Sequence, residues 1–290
     1  MAGELASLAA ALFWAIGLNL FRKDVRLVGA RAVNLFKGIF GCLLFLICLL
    51  VVGFPEIDAR ALNLFLLSGV IGLAAGDTFM FLALAHLGAH RTALLAGLGP
   101  VFTAVGAFLF LGEVLSAWEV FGILFAMSGV AMVVWFRPHG EEPKRADTAG
   151  IVYGLLASLC QAGGVLVSKE AFATADVPLA SGALRLVAAT AILALFALFR
   201  GELDLQVRRI FHPRPMRRLM LATFFGTFCG IGFMQAGIAW TDSAIASALH
   251  STTPLFTLPI AVFILKERVT MLAALGSCLA VAGIAILILL

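Results

Sequence analysis

Three ionisable side chains sit where charge is hard to accommodate. Lys37, Asp77 and Arg185 each fall well inside a long apolar stretch of this 290-residue sequence. A charge near the centre of a bilayer costs at least about 2.5–3.5 kcal/mol, so each needs a partner or a task. Lys37 and Asp77 lie at comparable depth in successive stretches, and antiparallel packing can bring them together as an ion pair. That pair has two readings. It is a structural link between helices, or its carboxylate titrates or competes for a bound solute, under opposing desolvation and lysine effects. Arg185 has no acidic residue at an evident matching depth. A guanidinium is always charged and forks onto carboxylate or phosphate. Arg185 is therefore the leading candidate to meet an anionic group on a solute, with bonding to backbone carbonyls at its helix start as the other account.

Uncharged groups add to the candidates. Ser247, His250, Ser251, Thr252 and Thr253 precede Pro254, and that proline removes a donor and crowds the carbonyl of His250. Hydroxyls can satisfy the freed backbone, or the carbonyl can face a cavity. His250 and Thr253 are read as lining a pathway, against the plainer reading of a histidine packed between helices. Pro100 is expected to make a matching kink. Asn19, Gln161 and Gln235 can bond a solute or join helices, and Trp14 can be a cavity wall or ordinary packing. Glu113 and Glu267 lie at helix junctions on opposite faces and read as caps or packing residues rather than gates.

Other chemistry lacks its residues. There is no GxxxxGK[ST] loop, HExxH, GxSxG or dinucleotide fingerprint. His86, His90, His139, His212 and His250 are scattered without metal-ligand spacing. The five cysteines lie in apolar stretches and form no CxxC pair. Ser168 and Lys169 are adjacent, so on a helix they point about 100° apart, which defeats a serine–lysine pair. No cofactor and no metal is expected.

The elements that position these residues follow from composition. Hydrophobic residues make up 62% and charged residues 12%, against roughly 45–50% and 25% in soluble chains. Mean hydropathy is +1.10. Such a chain is solvated by lipid, and a nucleic-acid partner is excluded. A spanning helix takes about 20 apolar residues. Ten such runs are read, at 4–21, 33–53, 61–84, 88–111, 116–136, 149–171, 178–200, 217–240, 243–265 and 270–290. Sixteen of the 20 lysines and arginines fall in, or at the run ends beside, the connections on one side of this arrangement. The positive-inside rule then makes the basic loops cytoplasmic and places both termini outside.

The two halves resemble each other. A shift of 154 brings Pro100, Phe102, Thr103, Glu113, Gly122 and Gly129 onto Pro254, Phe256, Thr257, Glu267, Gly276 and Gly283. The same shift matches Gly72, Gly76 and Met80 with Gly226, Gly230 and Met234. A shift of 147 lays Leu8, Ala10, Leu12, Ala15 and Gly17 on Leu155, Ala157, Leu159, Ala162 and Gly164. Five segments is an odd number, so the second copy enters the membrane in the opposite sense. An inverted repeat of this kind serves alternating access around a site between the halves.

These stretches, from Gly99-Pro100-Val101-Phe102-Thr103 to Glu113 and from Thr253-Pro254-Leu255-Phe256-Thr257 to Glu267, resemble the drug/metabolite transporter superfamily. The form is the ten-helix one with two EamA-type repeats, and the opening Ala11-Leu12-Phe13-Trp14-Ala15 fits as well. The resemblance implies an all-α membrane protein, ten helices in two inverted five-helix repeats around a central cavity. The first repeat spans 1–138, the second 149–290, with a connecting loop at 139–148. It also implies secondary transport across a bacterial inner membrane of a small polar metabolite, such as an amino acid or related compound. Export is the expected direction, by an exporter or facilitator working as a monomer or homodimer, driven by the solute's own gradient or by protons coupled through Asp77. The rivals are a lipid-carrier flippase of the same fold and a membrane-embedded enzyme acting on lipid. The copies differ in two respects: Gln161 stands where Trp14 aligns, and Gly76-Asp77-Thr78 has no acidic counterpart, so the halves are not expected to contribute equally to the site.

Overall fold

The computed structural model describes residues 1–28, 30–136, 148–201, 216–256, 259 and 270–289. Among them every regular element is helical. The helices are α1 (Ala2–Val28), α2 (Ala30–Val52), α3 (Ala59–Ser68), α4 (Gly76–Ala96), α5 (Gly99–Gly106), α6 (Ala117–Trp135), α7 (Thr148–Phe172), α8 (Pro178–Phe199), α9 (Met216–Thr223), α10 (Gly230–Trp240), α11 (Ser243–His250) and α12 (Met271–Leu289). A π-helical stretch, Gly69–Ala75, joins α3 to α4 without a break, and Phe224–Cys229 joins α9 to α10 in the same way. A third, Ala107–Leu111, extends α5. Merged across these joints, and with 253–256 extending the α11 region, the described residues form ten helical stretches. Six of them are long and apolar enough to cross a membrane, and Gly99–Leu111, Ala117–Val133 and Ala274–Leu289 are shorter apolar helices. The chain is a multi-pass membrane protein.

Local chemistry fixes several ends. Asp58 caps α3, accepting from the amides of Arg60 at 2.8 Å and Ala61 at 2.9 Å. The Ala61 bond is the main reason its carboxyl titrates below the usual aspartate range. Ser116 and Glu119 form a reciprocal capping box on α6. Pro178 opens α8, where a missing amide hydrogen leaves no helical bond unmade.

Two boundaries differ from the sequence reading. The first helix runs on to Val28, past Arg22-Lys23-Asp24, because charged residues mark an interface without breaking a helix. The break read at 85–87 is also absent: α4 continues to Ala96, and the turn comes at Gly97–Leu98. A glycine such as Gly88 costs a helix only about 1 kcal/mol, too little to stop it unaided. Glu267, His139, His212 and the connection at 139–147 lie outside the described residues.

Tertiary packing has a pseudo-two-fold. Helices α6 and α12 pack through their glycines. A Cβ on Gly122 would meet Leu287 and the Gly283 carbonyl, and one on Gly129 would meet Gly276 and Ala280. Numbers rising on one helix against numbers falling on the other make the pair antiparallel. The shift of 154 carries Gly122 to Gly276 and Gly129 to Gly283, so this contact maps onto itself. A self-complementary contact of that kind is the signature of a two-fold. The same operation relates two further contacts. A Cβ on Gly164 would lie 2.7 Å from the Gly72 Cα, and one on Gly226 would lie 2.8 Å from the Gly17 Cα. Even the π-helical joints obey it, since Gly69–Ala75 and Phe224–Cys229 fall in the register of the repeat. The fold is two inverted five-helix repeats, and α1, α2, α7, α8 and the two π-jointed helices meet along the axis between them.

Candidate functional site

The polar residues of the interior gather at that axis. Lys37 on α2 places its Nζ 3.3 Å from Asp77 Oδ2, with the two side chains 26% and 14% exposed. On the other side of the carboxylate, Gln161 of α7 donates from Nε2 to Asp77 Oδ1, also at 3.3 Å. Asp77 is thus held by one residue from each half. Its position follows directly from the π-helical joint, which ends one residue before Gly76. Extra residues in a helical turn re-aim the side chains that follow, and such bulges concentrate at functional sites. Gly76 also makes room for the amide, because a Cβ there would lie 3.2 Å from Gln161 Nε2.

A second polar group lies beyond the close contact of Gly72 with Gly164. Arg185 on α8 is fully buried. Its Nη1 donates to Gln235 Oε1 on α10. The Gln235 amide nitrogen in turn donates to Ser168 Oγ at 2.7 Å and Ser181 Oγ at 2.9 Å. Two hydroxyls therefore fix which way the amide points and turn its oxygen to the guanidinium. Nε and Nη2 of Arg185 have no hydrogen-bond partner among the described residues. A Cβ on Gly72 would lie 3.1 Å from Nη2, so that glycine leaves space beside the guanidinium. On α7, Gln161, Gly164 and Ser168 follow at helical spacing, so one face of one helix serves both groups.

The two groups are electrically linked. The Asp77 charge acts on Arg185, and the Arg185 charge acts on His250. His250 is buried at 6% exposure, its Nε2 without a partner among the described residues. Its ring meets Trp14 edge-on, with centroids 5.7 Å apart. Trp14 packs on Gly230, where a Cβ would lie 2.6 Å from the indole Nε1. Gly230 is the repeat partner of Gly76, and Trp14 of Gln161. The same helix–helix niche thus holds an amide in one half and an indole in the other.

The remaining candidates are placed differently. Asn19 donates to the carbonyl of Ala15 in its own helix at 2.8 Å. Thr253 donates to the carbonyl of His250 at 2.9 Å, supplying the bond that the nitrogen of Pro254 cannot. Pro100 lies in the first turn of α5, after the turn at Gly97–Leu98, and Pro254 follows the turn at Ser251–Thr252. These turns are related by the shift of 154. Glu113 spans the halves, accepting from Ser243 N and Ser243 Oγ, both at 2.8 Å, and so caps α11. Arg60 and Glu170 form a 2.5 Å ion pair between the halves at the same end of the molecule.

Sequence reasoning passed over three residues. Ser168 and Ser181 hold Gln235, and their signal was a hydroxyl on the same helical face as a singled-out polar residue. Lys169, weighed from the sequence only beside Ser168, donates to the carbonyls of Ile238 at 3.1 Å and Thr241 at 2.7 Å. It thereby satisfies the C-terminal end of α10.

The chain is similar to known proteins, to some of them over nearly its whole length. The sequence profile of the EamA-like transporter family matches residues 1–135 and again 148–289. A protein of Archaeoglobus fulgidus described as an uncharacterized transporter is 26% identical over 293 aligned positions, covering 98% of this chain and 97% of its own. Solute carrier family 35 member G1 of Mus musculus is 33% identical over 117 positions, covering 40% of this chain and 32% of its own. One protein crystal structure superposes with a TM-score of 0.80 at 17% identity, covering 99% of this chain and 96% of the other.

Proposed function

This chain belongs to the EamA-like transporter family, and from that premise we propose a secondary transporter that moves a small polar metabolite by alternating access. One observation carries the reading: an interior polar cluster, part of it fully buried, is shared between the inverted halves, with Lys37 and Asp77 from the first and Gln161, Arg185 and Gln235 from the second. Polar groups at such an interface change partners when the halves rock against each other. With no ATP-binding loop in the sequence, the driving force in this reading is the solute's own gradient or coupled protons. Asp77 is the proposed coupling residue, as the half-buried carboxylate held by one residue from each half. The basic loops are cytoplasmic in this reading, both termini lie outside and net movement is outward, with one chain or a pair of chains as the working unit.

Proteoliposomes test it. Wild-type protein should exchange labelled solute across the bilayer and accumulate it when a pH gradient is imposed. Asp77→Asn should keep exchange and lose gradient-driven accumulation. Unchanged accumulation by Asp77→Asn would remove the coupling role, and turnover of a lipid substrate in detergent, without compartments, would replace transport with catalysis.

A further inference from the structure

The charges of the interior cluster do not balance. Among the described residues it holds two cations, Lys37 and Arg185, and one carboxylate, Asp77. Lys37 and Asp77 satisfy each other at 3.3 Å. Arg185, fully buried, is left with one neutral partner, the Gln235 amide on Nη1. Its two unpartnered nitrogens are not an arbitrary pair. Nε–H and Nη2–H point in the same direction from the guanidinium plane edge and form the side-on fork that accepts both oxygens of a carboxylate. Ser168 and Ser181 lock Gln235, Gln235 locks Nη1, and the fork is thereby aimed. A buried, uncompensated positive charge is unfavourable enough that proteins ordinarily pair or remove it.

Resting on the transporter reading, we propose that the solute is a singly charged organic acid, a monocarboxylate without an ammonium group, whose carboxylate seats side-on at Nε and Nη2 of Arg185. The charge count selects against the alternatives. A monocarboxylate brings the cluster to neutrality. A zwitterionic amino acid leaves the excess positive charge uncompensated, and Asp77, the one carboxylate able to hold its ammonium group, is already engaged by Lys37 and Gln161. A phosphate dianion overshoots to net negative and finds no second unpaired cation among the described residues in the cluster. The unpartnered Nε2 of His250, close enough to feel the Arg185 charge, is available to a hydroxyl or carbonyl elsewhere on the acid. The Trp14 ring edge-on to His250 gives its skeleton an apolar wall.

Thermal stability of the purified full chain in detergent, read with intrinsic tryptophan fluorescence, tests the assignment on matched probes. Each carbon skeleton, short, branched and aromatic, is supplied as the carboxylic acid, its amide, its amino acid and its phosphate monoester. At least one acid should raise the melting temperature of the wild type with saturation, while its amide, amino acid and phosphate ester shift it several-fold less at equal concentration. Arg185→Lys keeps the charge but not the fork, and should weaken that acid at least tenfold. If Arg185→Lys does not fold, the wild-type comparison decides alone. An amino acid or phosphate ester matching or exceeding its acid would overturn the proposal, as would an acid binding Arg185→Lys with unchanged affinity or no acid acting on the wild type. Proteoliposome exchange separates the two readings. Amino-acid exchange without acid exchange defeats this inference and leaves transport standing, whereas acid binding without any exchange defeats transport and leaves the binding site standing.

Discussion

Removing the two members of the Lys37–Asp77 pair should have unequal consequences. At 3.3 Å and an effective dielectric of about 20, their attraction is about 5 kcal/mol before desolvation is subtracted. Deleting one partner of a fully buried pair costs about 3–5 kcal/mol. Here the side chains retain 26% and 14% exposure, so about 2–3 kcal/mol is expected for Asp77→Asn. That variant leaves Lys37 and Arg185 as two unneutralised cations and weakens the bond from Gln161. Lys37→Met differs in kind. Asp77 keeps the Gln161 donor and stays within range of Arg185, and the cluster becomes neutral, so a loss of about 1 kcal/mol is expected, close to that of a single hydrogen bond. The double variant should be less unstable than the sum of the singles, because neighbouring charges are not additive. Reversible denaturant titration in mixed micelles measures all three. Equal losses, a larger loss for Lys37→Met, or strict additivity would refute the charge accounting on which both the site and its solute rest.

Two further outcomes concern the frame. Gly129→Ala should destabilise the α6–α12 contact by about 1–3 kcal/mol, since its Cβ would lie 2.5 Å from the Gly276 carbonyl oxygen and 2.7 Å from the Ala280 Cα. Gly99→Ala, with nothing within 4 Å of the added Cβ, is the control, and equal melting temperatures for the two would reject the close-packing account. Glu113→Ala removes the carboxylate that accepts from Ser243 N and Oγ, at a cost of about 0.5–2 kcal/mol typical of a lost cap. Hydrogen exchange should quicken at the first amides of α11, and unchanged protection there would show that water replaces the carboxylate without loss.

The relatives constrain the fold and leave the solute open. Identity of 26% over nearly the whole length of the archaeal protein and a TM-score of 0.80 to a structure 17% identical speak to the fold. The polar cluster departs from the repeat at just the positions that matter chemically. Gln161 faces Gly76 where Trp14 faces Gly230, and Asp77 has Ile231 as its repeat partner.

Lipid solvation makes this architecture legible from residue order alone. Outside water, a chain must satisfy its own backbone, so apolar runs of spanning length become helices. A duplicated proline, glutamate and glycine register then fixes two copies, and an odd segment count inverts one of them. The exact helix limits were not legible, because a lone glycine or a cluster of charges does not end a helix while a turn such as Gly97–Leu98 does. Depth along successive stretches brought Lys37 and Asp77 together on paper, since antiparallel neighbours share depth. What no linear reading could supply was rotation about each helix axis. That rotation, set by glycine contacts and the π-helical joints, turned Asn19 and Thr253 onto carbonyls of their own chain segment. It also put Gln235 between two serines and left one edge of Arg185 bare. Pattern dictated which residues enter the membrane interior, and only close packing of the two halves decided which of them face one another.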